Sequence, residues 1–404
     1  MSTRAAWPGR TPPPLLIWAV TLTGITANTL IAPVLPDIVA DFGRGDSASG
    51  LLVASASLPG VVAAPMIGLL ADRHGRRRVL VPCLIIFGTM GLAGSLAPTY
   101  WTLVLSRLLM GIGTAGLINL AVVLIGDHYD GNERIRQVGR NAAVLTGGLA
   151  LMPMISGALE GLGGWRLSLL PSSLALVTAA AAWIVLDDVR PPDVSSSLRG
   201  QLRAGREALG SPAIRATVLS GFLIFVMIFG LFLTTLPVHL KEEFGLSAAP
   251  RGLLLGIPSI TSTLIALNLA RIRGALGLRR LLITGAALFG ISLLAVGLSP
   301  TLIAVVLGLL VYGGAEGATV PSLQETTVAR APAEQRGVVL AVWVSAVRLG
   351  QAVGPLLFAA IFGAIGTGAT LIAGSAVALL VLMIHAGSAI SAPIVEPTST
   401  DAPD

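Results

Sequence analysis

Residues 68–78 read Gly68-Leu69-Leu70-Ala71-Asp72-Arg73-His74-Gly75-Arg76-Arg77-Arg78 and lie between two long apolar runs. Five charges crowd into positions 72–78 of this stretch. Hydrocarbon cannot solvate such a turn, so it belongs at a membrane surface between two spanning helices. The rest of the chain agrees: of 404 residues 54% are hydrophobic and only 11% charged, with a mean hydropathy of +0.86. A soluble chain carries about 25% charged residues. Twelve apolar stretches, near 15–36, 50–71, 79–97, 101–125, 138–161, 167–186, 214–236, 252–270, 281–298, 301–323, 337–361 and 368–386, each match the hydrocarbon core in length. The expected fold class is therefore all-α integral membrane. The 48 glycines and 25 prolines would suggest disorder in water, but within spans they permit close packing and kinks.

The net charge of +6 does not point to nucleic acid, because of where the charges fall. With the N-terminus inside, 20 of the 26 Lys and Arg residues lie on the cytoplasmic side: Arg4 and Arg10, and those in the segments around 73–78, 134–140, 190–215, 271–280 and 330–336. Arg44, Arg166, Lys241 and Arg251 fall outside, and Arg107 and Arg348 lie within spans. This asymmetry follows the positive-inside rule and predicts a multi-pass protein of the inner (plasma) membrane with both termini cytoplasmic. The single cysteine, Cys83, excludes an internal disulfide, and the four scattered histidines suggest no metal cluster. No cleavable signal peptide is evident, since the first apolar run is long and lacks a small-residue cleavage site.

Comparing each residue with the one 202 positions later exposes an internal repeat. Gly50-Leu51-Leu52 matches Gly252-Leu253-Leu254, and Gly75, Arg77 and Arg78 match Gly277, Arg279 and Arg280. Pro98-Thr99 matches Pro300-Thr301, Gly111 matches Gly313, and Gly148 and Pro153 match Gly350 and Pro355. The offset does not slip across six spans. It divides the chain into a six-helix bundle over 1–186, a cytoplasmic joint over 187–213, a second bundle over 214–387 and a tail over 388–404 expected to be disordered. In the joint, Leu198, Leu202 and Leu209 share a helical stripe, suggesting an amphipathic helix on the inner leaflet; a plain solvated linker is the alternative.

The pattern G-x-x-x-D-R-x-G-R-R-R, carried by Gly68, Asp72, Arg73, Gly75, Arg76 and Arg77, resembles the loop between helices 2 and 3 of the major facilitator superfamily. The resemblance implies two pseudo-symmetric six-helix bundles, and a loop that latches the cytoplasmic side with an acid at the end of span 4, here Asp127. The second-half counterpart has Gly274 where the first has Asp72, so only the first latch looks complete. Span 4 reads Leu103-x3-Arg107-x2-Met110-Gly111-x-Gly113-x-Ala115 and resembles the family's fourth-helix motif, in which the arginine is tied to proton coupling. An arginine in a span costs about 3 kcal/mol on insertion scales. Snorkelling of Arg107 to the outer interface is the other reading. Span 5, Gly139-x8-Gly148-x3-Met152-Pro153-x2-Ser156-Gly157, looks like the motif of drug–proton antiporters, with Met152 and Ser156 departing from it. Its helix-interface residues would be Gly148, Pro153 and Gly157, with Gly350, Gly354 and Pro355 in the second half.

Glu316 is the carboxylate placed well inside an apolar span, with Arg348 on span 11 near midplane as its expected counter-ion. Together with Arg107 these are the candidates for proton coupling, although a static buried pair that fixes helix packing is an equal reading. Asn28, Asn119, Trp343 and Gln351 are candidates for the substrate cavity, and Asp37 reads as an interfacial acid. The function expected is proton-driven export of small amphipathic organic compounds by alternating access, as in multidrug or metabolite efflux. A transporter or exchanger of a small organic anion is the alternative, since Arg107 and Arg348 outnumber the buried acid. A membrane-embedded enzyme would need paired His/Asp/Ser or metal-ligand spacing, and none is found. No nucleotide-binding loop is present, so no cofactor is expected beyond a proton gradient. The expected partners are a small-molecule substrate, protons and the lipid bilayer, not nucleic acid, with a monomer as the working unit.

Overall fold

The computed structural model describes residues 10–187, 198–331 and 335–387; the tail expected to be disordered lies outside them. All regular structure among the described residues is helical. Among the described residues eleven helical segments are long and apolar enough to cross a membrane, and one of them, Gly131–Val185, holds two spans. It breaks at Gly163 and Gly164, whose backbone leaves the helical region, Gly164 with φ of 74°. The twelve spans are α1 (Pro14–Asp41), α2 (Asp46–His74), α3 (Arg76–Ser95), α4 (Tyr100–His128), α5 (131–162), α6 (165–185), α7 (Pro212–Phe244), α8 (Ala248–Leu267, prolonged by Leu269–Leu276), α9 (Leu278–Leu298), α10 (Leu302–Ala329), α11 (Arg336–Ile365) and α12 (Thr367–Ala386).

Helix ends repeat between the halves because the sequence does. Thr99 caps α4 by accepting from the Thr102 backbone N–H at 3.2 Å, and Thr301 caps α10 by accepting from that of Ala304 at 3.4 Å. Gly75 (φ 95°) ends α2 and Gly277 (φ 76°) ends the prolonged α8, both in the left-handed region that a side chain resists. One buried core gathers Leu80, Leu84, Phe87, Leu120 and Leu124 of the first half. Another gathers Leu231, Leu282, Phe289, Leu309 and Tyr312 of the second.

Two details modify the simple picture. α7 widens over Ile228–Thr235 into π-helical spacing, and the hydroxyls of Thr234 and Thr235 donate to carbonyls five residues back, Phe229 O at 2.7 Å and Gly230 O at 2.8 Å. In the joint a short helix runs over Leu198–Ala208. It rests on α11: Gly205 sits against Val338 and Val342, and Ala208 packs with Ile214, Ala331 and Val339. The side chains of Leu198 and Leu202, two members of the expected stripe, lie outside the described set.

Candidate functional site

The seam between the halves is built by glycines meeting carbonyls, and it obeys the 202-residue offset. A Cβ on Gly50 of α2 would overlap the Pro355 carbonyl of α11, and one on Gly252 of α8 would overlap the Pro153 carbonyl of α5. A Cβ on Gly157 would likewise overlap the Ala248 carbonyl. Such bare backbone lets helices close up where lipid offers no hydrophobic drive between them. The other members of the motif bind within their own half, Gly148 against Leu22 and Ile25, Gly350 against Phe222 and Phe225, and Gly354 against Val226.

Contact loosens along the same helices toward the arginine-rich loops. A Cβ on Gly60 would stand 3.3 Å from Arg348 Cδ, whereas around Gly68 nothing lies within 4 Å. On the other side of the seam a Cβ on Gly256 would meet Ala150 O at 2.7 Å, while Gly147 and Gly139 face open space. Beyond them Asn268 is exposed and Leu269–Leu276 buries no residue. The two halves are pressed together at the far face and part toward the basic face.

Charges follow this division. At the far face Asp37 of α1 pairs with Arg251 of α8 and lies 3.2 Å from Lys241 of α7. Lys241 also donates to Pro36 O at 3.2 Å. Arg251 has 0% exposure, and its Nε and Nη1 find no partner among the described residues. The acid read from sequence as interfacial thus joins the two halves. At the basic face Arg76 bridges Asp72 and Asp127, the latter at 2.9 Å, entirely within the first half. Arg77 lies 4.1 Å over the Trp183 ring and donates to Leu186 O at 3.3 Å, while Arg73 is exposed. The second half carries its own tie: Arg273 of α8 meets Glu325 of α10 at 2.6 Å. Here the second helix of the half carries the base and the fourth the acid, which is why Gly274 in place of Asp72 concealed it.

In the interior, Arg107 does not snorkel. It is 3% exposed and donates to Leu52 O at 2.6 Å, Ala27 O at 2.9 Å and Asn28 Oδ1 at 2.9 Å. Asn28 in turn donates to Ser57 Oγ at 3.3 Å. A small cavity of about 10 Å³, roughly the room of one water, adjoins Arg107, Thr26 and Ser106. Glu316 and Arg348 do not pair: both are half-buried, and no ion pair reaches either among the described residues. Arg348 instead donates to Gln351 Oε1 at 3.3 Å and lies over Gly60 of the opposite half. Asn119 is exposed. Trp343 is buried against Gly221, its indole N–H without a partner among the described residues.

A half-buried aromatic stripe on α7, Phe222, Phe225, Phe229 and Phe232, escaped the sequence reading although its 3-4-3 spacing was visible. Phe229 packs on cores of both halves, and Phe232 stacks at 5.0 Å on Tyr312, one turn before Glu316. At the basic face a groove of about 510 Å³ opens between α10 and α11, lined by Pro321, Gln324, Val328, Arg336 and Leu340 among others. That volume suits a small organic molecule.

Twelve spans in two halves related by a constant offset, joined by glycine seams and by the Asp37–Arg251 pair at the far face, have the architecture of a membrane transporter. The sequence profile of the Major Facilitator Superfamily matches residues 17–274 and 218–401, and the chain belongs to that family. It is 25% identical over 359 residues to the bacillibactin exporter of Bacillus subtilis (strain 168), covering 85% of this chain and 88% of that protein. It is 27% identical over 352 residues to multidrug resistance protein MdtG of Escherichia coli (strain K12 / DH10B), covering 84% and 85%. Among solved structures, a bacterial homolog of the human lysosomal transporter Spinster, inward-facing and unoccupied, matches with a TM-score of 0.77 at 18% identity, covering 92% of this chain and 95% of that one. The human organic anion transporter MFSD10 matches with a TM-score of 0.70 at 21% identity, covering 92% and 98%. These two share the fold.

Proposed function

We propose that the protein is a proton-coupled exporter of small amphipathic organic compounds that works by alternating access. The observation that carries this reading is Glu316, a half-buried carboxylate inside α10 with no ion pair among the described residues. A carrier must exist both charged and neutral, and a carboxyl unclamped by a cation is free to do so. The aromatic stripe on α7 supplies an apolar bed beside it. The relative named as a bacillibactin exporter supports the direction of transport. With the basic face cytoplasmic, as the positive-inside rule implies, the cleft opens to the cytoplasm, where an exporter loads.

Inverted membrane vesicles carrying the protein test this directly. An imposed pH gradient drives accumulation of at least one member of a panel of anionic, neutral and cationic amphipathic dyes by the wild type, and Glu316→Gln abolishes uphill accumulation while preserving downhill exchange. If Glu316→Gln still pumps uphill, Glu316 is not the proton carrier.

A further inference from the structure

The interior of this protein contains two arginines in quite different states. Arg107 is enclosed, and its guanidinium spends its donors on two carbonyls and one amide oxygen. Arg348 is half-buried and, among the described residues, makes a single hydrogen bond, to the neutral Gln351 Oε1 at 3.3 Å, out of five donors. Its neighbour across the seam is Gly60, which has no side chain to offer it. The site lies where α2 and α11 begin to part, between the tight contact of Gly50 with Pro355 and the open space at Gly68. A guanidinium within a span is retained only against a cost, and acids meet the arginines of the two faces, as Asp37 meets Arg251 and Asp127 meets Arg76. Arg348 has no such acid among the described residues.

From this we infer that Arg348, held by Gln351 at the apex of the cleft, is an anion subsite, and that the transported compounds carry a carboxylate or similar planar oxyanion on an apolar body. The fork of a guanidinium matches a carboxylate bidentately, which an ammonium does not. An apolar bed is offered by α7, where Phe229 packs on cores of both halves and Phe225 stacks on it at 6.2 Å. Gly60 leaves the guanidinium room, and any side chain there would press on Arg348 Cδ. The inference rests on the exporter reading and narrows its substrate class; Glu316, on a different helix, keeps the separate task of carrying the proton.

The test uses the full chain in lipid nanodiscs with three probes that share one apolar body, 1-pyrenebutyrate, 1-pyrenebutanol and 1-pyrenebutylamine, and subtracts binding to empty nanodiscs. The wild type should bind the carboxylate about tenfold more tightly than the alcohol, the scale of one charge-assisted contact. Arg348→Gln should bring that ratio to about one, and Arg348→Lys should keep part of it, because charge survives without the fork. Gln351→Ala, which retains the charge, should weaken carboxylate binding less than Arg348→Gln does. Equal binding of carboxylate and alcohol by the wild type, or an unchanged ratio in a monodisperse Arg348→Gln protein, overturns the inference. A transport arm in proteoliposomes separates the two readings. Gradient-driven movement of the alcohol and amine without carboxylate preference sinks the anion subsite and leaves the exporter standing. Carboxylate-selective binding without gradient-driven movement of any probe does the opposite.

Discussion

Asp37, at the far end of α1, holds the guanidinium of Arg251, a wholly buried residue of α8, and so ties the first half of the molecule to the second. Arg251 forms no ion pair with another acid among the described residues, and two of its nitrogens are already unpartnered there. Removing the acid strands a buried charge, a change that costs about 3 kcal/mol in comparable pairs. Asp37→Asn should therefore open the far face. Ser47 and Gly363 face each other across it, a Cβ on Gly363 standing 3.3 Å from Ser47 Cβ. A cysteine pair at these positions, in a Cys83→Ala background, should cross-link readily in the parent and poorly with Asp37→Asn. Equal cross-linking would mean that the glycine seam alone closes this face.

The taper along α2 predicts a second asymmetry. Gly50 has no room for a side chain, whereas Gly68 has open space in this conformation. Gly68→Leu should be tolerated here but clash when α11 closes over the basic face, at about 1–3 kcal/mol, enough to bias the equilibrium roughly fivefold or more. Spin-label distances between α2 and α11 should then report a persistently open basic face, with transport lost and yield retained. Normal transport by Gly68→Leu would show that α11 never approaches it.

The ion pair of the second half can be tested by reversal. Arg273 and Glu325 are partly exposed, so the pair is worth about 1 kcal/mol or less to stability. Arg273→Glu and Glu325→Arg alone should each slow transport by like-charge repulsion, and the double swap should restore it. Failure of the swap to rescue would assign these charges to membrane insertion alone.

Arg107 should behave as a structural anchor. Arg107→Ala strands two backbone carbonyls and the Asn28 amide and leaves a cavity, a loss of about 3 kcal/mol or more that lowers the thermal midpoint in detergent. Arg107→Lys should fall between, since one ammonium cannot span α1 and α2 as the fork does. A midpoint unchanged in Arg107→Ala would show that water replaces the side chain without loss.

Orientation is open to direct labelling. Single cysteines at His74 and Asp46 in the Cys83→Ala background should differ: an impermeant thiol reagent on intact cells should modify position 46 and spare 74. The reverse pattern would turn the molecule over and make its cleft face outward.

Much of this architecture was legible because it is written in backbone-level residues. The match of Gly50 with Gly252 and of Pro153 with Pro355, seen as an offset in the chain, becomes two equivalent seams, and Gly75 and Gly277 become two equivalent positive-φ helix ends. Side-chain partnerships were less legible, because they depend on helix rotation. Glu316 and Arg348 are opposite charges at similar depth, yet they do not meet; Asp37 and Arg251 lie over two hundred residues apart and do. Arg273 and Glu325 escaped notice because the sequence comparison looked for an acid on α8, and the acid sits on α10. The stripe from Phe222 to Phe232 was hidden inside a run that is apolar on every side, where composition overwhelms periodicity.

The π-helical stretch Ile228–Thr235 has a consequence for the phase of α7. Each residue of an ordinary helix advances about 100° around its axis, so one surplus residue would swing everything beyond it by that angle. Widened turns absorb such a surplus, which lets Phe225 face the interior while Lys241, beyond the stretch, still reaches Asp37. Deleting one residue between 228 and 235 would let ordinary winding return with both bearings preserved, whereas the same deletion in the regular turns before Met227 would rotate the aromatic stripe and the lysine out of register with each other.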